Sequence, residues 1–381
     1  MPAPKVRHIL AMDGGGIYGL FTVLMLKELC LRDESFLAEN DVDLFAGTSA
    51  GALTALMLAS VDRPRDLVLS GKLESLFSDP RLYSKRPGLT SITSLMGVTS
   101  WTGDDDARDL LKTFFGDMKM CQLKSNTIIC SFNLSGDIND GAKRRWKPQI
   151  FYSFKDDDPF AEMPVWEVAF GATAPVQWRS VNNGITDGGI FADNPIIPAI
   201  TTLLDIARKS DSADQNHEQH QTADEEDPDA GPVALSYRDF HFLKGFRLLS
   251  LGVGNVVPYY GLSKFNLGYL SFNMLPTNIR EKQFWPPIFH LMLEPSVEGA
   301  TGQAATLLGN RFHRLDPPVL GYPIPPVLGA MYLSRFWVWR ELIEKYIHKG
   351  MKDPQTDLDL QATATWIKNV WRQDTAEMAA E

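Results

Sequence analysis

The stretch Asp43-Leu44-Phe45-Ala46-Gly47-Thr48-Ser49-Ala50-Gly51 decides the fold. Asp43 to Ala46 reads as a short strand, Gly47 to Gly51 is a G-x-S-x-G element, and Ala50 to Ser60 is an apolar run of helical length that must lie in a core. A serine set between strand and helix with glycine on both sides is held on a strained turn, because only glycine lets neighbouring backbone approach so closely. The Ser49 hydroxyl is then presented to a reactant.

Upstream, Val6 to Met12 reads as a buried strand, Asp13-Gly14-Gly15-Gly16 as its turn, and Ile17 to Leu31 shows helical spacing. Two strand–turn–helix units in succession predict an α/β fold of three layers, α/β/α, with a mostly parallel central sheet. Ligands of such sheets collect at the carboxyl ends of the strands, where both glycine turns fall. Downstream, helices are expected at Asp105 to Phe115, Val165 to Gly171 and Pro195 to about Arg208, and strands at Asn126 to Asn133, Gln149 to Ser153, Ile185 to Thr186 and Phe246 to Leu251. Helices around Tyr332 to Lys349 and Leu358 to Asp374 close the chain. A single domain over residues 1–381 is expected, with its motifs at about 6–255 and a helical, aromatic region at 256–381. The polar, acidic segment 209–232 is expected to be a mobile inserted loop, having too little apolar surface to offset the entropy of ordering it.

With 44% hydrophobic and 22% charged residues, the 381-residue chain has the composition of an ordinary globular protein. The net charge of −10 is concentrated between Asp211 and Asp229, which holds eight acidic residues and no Lys or Arg, so it argues only weakly against a nucleic-acid partner. No run approaches the length of a membrane span and Met1 to Met12 does not read as a secretory signal, so a cytoplasmic location is expected. Cys30, Cys121 and Cys130 lack metal-binding spacing and read as buried thiols.

Ser49 needs a proton acceptor and a site for the developing oxyanion. The amides of the Gly14 to Gly16 run suit the second role, and Asp187, in Asp187-Gly188-Gly189, suits the first. Gly14-Gly15-Gly16-Ile17-Tyr18-Gly19 also fits the dinucleotide fingerprint G-x-G-x-x-G, but Asp13 would set a carboxylate beside a pyrophosphate, and the second strand ends in Gly47-Thr48-Ser49 where an acidic ribose ligand belongs. A Walker loop fails because Leu20-Phe21 follow Gly19. The bland alternatives are a helix-capping serine and an aspartate in an ordinary Asp-Gly turn. Of seven histidines, His290 or His313 would satisfy the chain order Ser, Asp, His of a triad; none lies in a glycine-framed turn, and a two-residue Ser49–Asp187 arrangement is preferred.

Together, Ile9 to Gly19, Phe45 to Gly51, Gly171-Ala172-Thr173-Ala174-Pro175, Asp187-Gly188-Gly189 with Asn194-Pro195, and Leu249-Ser250-Leu251-Gly252 resemble the patatin-like phospholipases, which are related to the cytosolic phospholipases A2. Arg311-Phe312-His313-Arg314-Leu315 is a looser echo. The chain departs from the family at Tyr18, where a basic residue is usual, at Asp193, where Asn is usual, and in a shortened Ala-Thr-Ser-Ala-Ala-Pro stretch.

The resemblance implies a lipid acyl hydrolase of phospholipase A type with Ser49 as nucleophile, Asp187 as base and the Gly14, Gly15 and Gly16 amides as oxyanion hole. Gly47, Gly51, Gly188 and Gly189 would shape the supporting turns. It implies no metal or cofactor, a phospholipid or other acyl-lipid substrate and peripheral membrane contact. An acyltransferase or thioesterase using the same acyl-enzyme, a ligand-activated effector that degrades membranes, and a catalytically silent lipid-binding or storage protein are the alternatives. Apolar residues at Leu95 to Trp101 and Phe284 to Leu293 are candidates for an acyl pocket or lid.

Overall fold

The computed structural model describes residues 7–83, 103–136, 144–153, 160–175, 179, 183–218, 237–254, 287–317 and 336–373. Its strands are β1 (His8–Met12), β2 (Leu44–Thr48), β3 (Asn126–Asn133), β4 (Lys147–Tyr152), β5 (Ile185–Asp187), β6 (Arg247–Leu251) and β7 (Phe312–Leu315). Its helices are α1 (Gly19–Arg32), α2 (Ala50–Ala59), α3 (Pro64–Leu69), α4 (Lys72–Phe77), α5 (Asp105–Phe115), α6 (Val165–Ala172), α7 (Ile196–Glu218), α8 (Tyr237–Lys244), α9 (Pro287–Leu308), α10 (Phe336–Met351) and α11 (Pro354–Trp366).

The strands form one sheet in the order β4-β3-β2-β1-β6-β7, with β5 also paired to β3. Pairings among β3, β2, β1, β6 and β7 are parallel, whereas β4 and β5 run antiparallel to β3. The sheet is therefore mixed but mostly parallel, as expected of α/β/α layering.

Side chains of successive strand residues point to opposite faces, and both faces of β1 and β2 are dry. Leu10, Met12 and Phe45 pack into one core with α1 to α6, and Ile9, Ala11, Leu44 and Ala46 pack into the other with α7, α8 and α9. In α7, Ile196, Ala199, Ile200, Leu203 and Leu204 recur at helical spacing and supply the apolar stripe. Helix α2 has no polar face: every residue from Ala50 to Ala59 is buried. Burying each large aliphatic side chain contributes roughly 1.5–3 kcal/mol, so α2 is held by its surroundings on all sides.

The C-terminal part is built into this body. β7 extends the sheet, and α10 and α11 pack on α1. Beyond α11, the fully buried Trp371 stacks on His8 with ring centroids 4.4 Å apart and donates to Asp41 at 3.1 Å. Arg372 also pairs with Asp41, and Arg247 donates to the carbonyls of Val370 and Gln373 at 2.7 Å.

Two expectations require correction. Residues 209–218 are helical rather than loop, as the end of α7, because this polar run contains no Gly or Pro to stop the helix; 219–232 lie outside the described residues. Cys121 is exposed in a short turn, where its Sγ approaches Glu162 at 3.6 Å, while Cys30 and Cys130 are buried and burial pushes both thiols up to about 12. Leu95 to Trp101 and Phe284 to Pro286 lie outside the described residues, as do the side chains of 287–293.

Candidate active site

The meeting of Ser49 and Asp187 follows from strand register. β2 runs beside β3 only as far as Thr48, which lies opposite Cys130. At Ser49 the chain turns out of the sheet into α2. β5 then takes up pairing with β3 one residue later, Asp187 lying opposite Ser131. The last residue of β5 thus occupies the position vacated by β2, beside the serine where β2 turned away. Side-chain bonds fix this junction: Thr48 Oγ1 donates to the Ala192 carbonyl at 2.8 Å, and Thr186 Oγ1 donates to the Ala174 carbonyl at 2.6 Å.

Ser49 has φ 52° and ψ −119°, a conformation that side chains rarely adopt and that costs of order 1–3 kcal/mol. The turn is enforced by close approach. A Cβ on Gly51 would sit 2.0 Å from the Met12 carbonyl oxygen, and one on Gly47 would sit 2.3 Å from that of Gly51. Any larger residue there would push α2 away from the carboxyl end of β1. On the other side, a Cβ on Gly188 would lie 2.4 Å from the Cys130 carbonyl oxygen, so Gly188 lets the end of β5 press against β3.

Asp187 is 4% exposed and Ser49 7%. Oδ1 of Asp187 accepts the Gly189 N–H at 2.9 Å, while among the described residues Oδ2 has no hydrogen-bond partner. Burial pushes this carboxyl up to about 6, opposed by the nearby Ser49 hydroxyl, the Gly189 amide and the Arg179 guanidinium, all of which favour the charged form. A carboxylate in this state is a better base than an exposed aspartate and is still ionised at neutral pH.

The Asp13 to Gly16 turn runs over the serine: a Cβ on Gly14 would come within 3.3 Å of Ser49 Cβ. The expectation that all three glycine amides face an oxyanion needs correction at Gly14, whose N–H donates to the Asp193 carbonyl at 2.9 Å. Among the described residues, the amides of Gly15, Gly16 and Ala50 donate to no backbone carbonyl. Gly15 has φ +154° and Gly16 φ +56°, backbone conformations that residues with a side chain rarely adopt. Ala50 begins α2, so its amide adds the positive end of a helix dipole beside Ser49.

The histidines that could complete a triad are otherwise engaged or lie outside the described side chains. His313 Nε2 and the Thr363 hydroxyl are 2.9 Å apart, and its ring stacks on Trp366. His8 is bound to the Asp41 carbonyl and to Trp371. The His290 side chain is outside the described residues.

One group of site neighbours was not foreseen from sequence. Arg314, on β7, reaches Asp13 Oδ2 at 2.6 Å, Asp316 Oδ2 at 2.8 Å and Ser250 Oγ at 2.8 Å. Ser250 in turn lies 3.5 Å from the Asn194 side-chain amide. The only signal was the looser family echo at Arg311 to Leu315, which contains Arg314 but not its partners.

Comparison with known proteins supplies the family. The family model described as Patatin-like phospholipase matches residues 10–200, from β1 through the start of α7. CotR of Bacillus subtilis, named as a sporulation hydrolase, is 24% identical over 89% of this chain and 97% of its own. A cGAMP-activated phospholipase of Pseudomonas aeruginosa is 30% identical over 50% of this chain and 53% of its own. The 85/88 kDa calcium-independent phospholipase A2 of Rattus norvegicus is 26% identical over 51% of this chain and 24% of its own. The chain thus spans nearly all of the first, about half of the second and about a quarter of the third. This protein belongs to the patatin-like phospholipase family.

Proposed function

We propose that this protein hydrolyses fatty acyl esters of lipids by a Ser49–Asp187 dyad. The observation that carries the reading is the side-by-side placement of a strained serine, 7% exposed, and a buried carboxylate raised to about 6, beneath a turn with available amides. Ser49 Oγ attacks the ester carbonyl while Asp187 Oδ2 takes its proton. The tetrahedral oxyanion faces the Gly15, Gly16 and Ala50 amides, each worth about 2.7–4 kcal/mol in such a role. Collapse expels the lipid alcohol, which recovers the proton from Asp187, and leaves an acyl group on Ser49. Water, deprotonated by the same carboxylate, then releases the fatty acid.

Family membership supports a lipid substrate. Ile190, 37% exposed immediately after the Gly188-Gly189 turn, offers an apolar contact beside the site. Among the described residues, no helix is long and apolar enough to cross a membrane, so the proposed contact with lipid is peripheral.

The test is incubation of phosphatidylcholine vesicles with wild type, Ser49→Ala and Asp187→Asn, with fatty acid and lysolipid quantified. Equimolar release of both by wild type alone supports the reading. Undiminished release by either folded variant ends it.

A further inference from the structure

Resting on the Ser49–Asp187 reading, we infer that Arg314, from the C-terminal strand β7, is a positioning residue that sets the oxyanion turn by gripping Asp13 and the loop after β6. Asp13 is the residue before Gly14-Gly15-Gly16 and is 2% exposed. Its N–H is tied to the Leu251 carbonyl at 3.1 Å and its Oδ2 to Arg314 at 2.6 Å, while its Oδ1 has no hydrogen-bond partner among the described residues. Among the described residues, the start of the turn is therefore held by three hydrogen bonds, counting that from the Gly14 N–H to the Asp193 carbonyl, and Arg314 supplies the one made to the Asp13 side chain.

Arg314 reaches the turn by a second route. It holds Asp316 Oδ2, and Asp316 Oδ1 accepts the Gly254 N–H at 3.0 Å. The Gly252 N–H donates to the Leu315 carbonyl at 2.9 Å, and the Gly252 carbonyl accepts Thr22 Oγ1 at 2.7 Å. Val253, between those glycines, is the residue against which Gly15 packs: a Cβ on Gly15 would fall 2.7 Å from one Val253 methyl. Thus one guanidinium fixes both the carboxylate that begins the turn and the loop that backs its middle. A planar fork with several donors can bind Asp13, Asp316 and Ser250 together, which a lysine ammonium cannot do in the same geometry.

The packing makes a role in stability inevitable, so the question is whether there is a role in turnover besides. Displacement of a reacting group by about 1 Å can lower turnover on the order of a hundredfold, whereas binding made elsewhere on the substrate is untouched. Arg314 also lines an open cleft with Glu298, Thr301, His313, Asp316 and Asp359, so a small cation can reach the space left by a truncated side chain.

The experiment compares kcat and KM for a p-nitrophenyl acyl ester among wild type, Arg314→Lys, Arg314→Ala and the double variant Asp13→Asn/Arg314→Met, with thermal unfolding recorded for each. The double variant covers the case in which Arg314→Ala fails to fold, since it leaves no unpaired Asp13 carboxylate. The expected result is a kcat lowered about a hundredfold in folded Arg314→Ala or in the double variant, with KM within about twofold, and an intermediate kcat in Arg314→Lys. Added guanidinium ion, but not sodium at equal ionic strength, should raise kcat of Arg314→Ala. A folded Arg314→Ala or double variant with wild-type kcat overturns the inference, as does a loss confined to KM. Ser49→Ala runs alongside: if it keeps wild-type turnover, the dyad reading has failed, and if it is inactive while the folded Arg314 variants keep the wild-type kcat, only this inference has.

Discussion

Gly15 and Gly16 are adjacent and both have positive φ, yet adding one methyl group to each should have very different consequences. At Gly15 a Cβ meets both Val253 methyl carbons at 2.7 and 2.8 Å and Val253 Cβ at 3.0 Å, and φ is +154°. Valine is stiff about χ1 and cannot swing clear, so the turn itself must move. At Gly16 the same atom meets nothing within 4 Å among the described residues at φ +56°, and the penalty is that of the left-handed backbone, about 1–2 kcal/mol. If the Gly15 amide is lost as an oxyanion donor, Gly15→Ala lowers kcat by about a hundred- to a thousandfold. Gly16→Ala should keep its amide in place and lose less than about tenfold. Gly15→Ala/Val253→Ala removes the two closest clashes but leaves the φ penalty, so it should recover part of the lost rate. Hydrolysis of a p-nitrophenyl ester, alongside thermal unfolding to confirm the fold, measures all three. A Gly15→Ala protein within threefold of wild type, or a Gly16→Ala protein worse than Gly15→Ala, would refute the assignment of this turn.

Asp187 is deprotonated only above its raised pKa of about 6, so kcat/KM should be level above that pH and fall about tenfold per unit below it. A limb centred near 4 would show that Asp187 is not the base. Because the folded state holds this proton more tightly than the unfolded chain, the group favours folding at low pH and that contribution is lost as pH rises through about 6. Asp187→Asn should accordingly be inactive and unfold at a higher temperature than wild type at pH 8, with the gap narrowing from pH 6 down to the ordinary carboxyl value of 3.8; an equal or lower unfolding temperature at pH 8 contradicts the burial argument. Trp371→Ala, which empties a fully buried site between His8 and Phe36, should lose about 3–5 kcal/mol by denaturant titration. A loss below about 1 kcal/mol would mean that the C-terminal turn is not part of the cooperative core.

Much of the fold is legible in the sequence where local chemistry and tertiary demand agree. Asp105 to Phe115 and Asn126 to Asn133 form a helix and a strand with the expected limits, because an amphipathic period and a β-branched run each carry their own signal. The glycine turns are legible for a related reason: only glycine tolerates backbone 2.0 to 2.3 Å from its missing side chain, so Gly47 and Gly51 declare a close approach before its partner is known. Where a residue's partner is distant, the signal disappears. Asp13 and Arg314 are 301 positions apart, and nothing near either announces the other. The bond from Gly14 to Asp193 was hidden similarly, because a backbone amide's partner depends on which loop passes it rather than on the residue's type. Composition misled at 209–218, where polarity was read as disorder although a helix tolerates those residues.

The most direct measurement is the mass of the protein after exposure to a fluorophosphonate, followed by peptide mapping of the modified residue. One adduct per chain on Ser49, absent from Ser49→Ala and strongly slowed in Asp187→Asn, is the predicted result. An adduct on another residue, or none on Ser49 in a preparation that hydrolyses lipid, would contradict the proposed chemistry at its root.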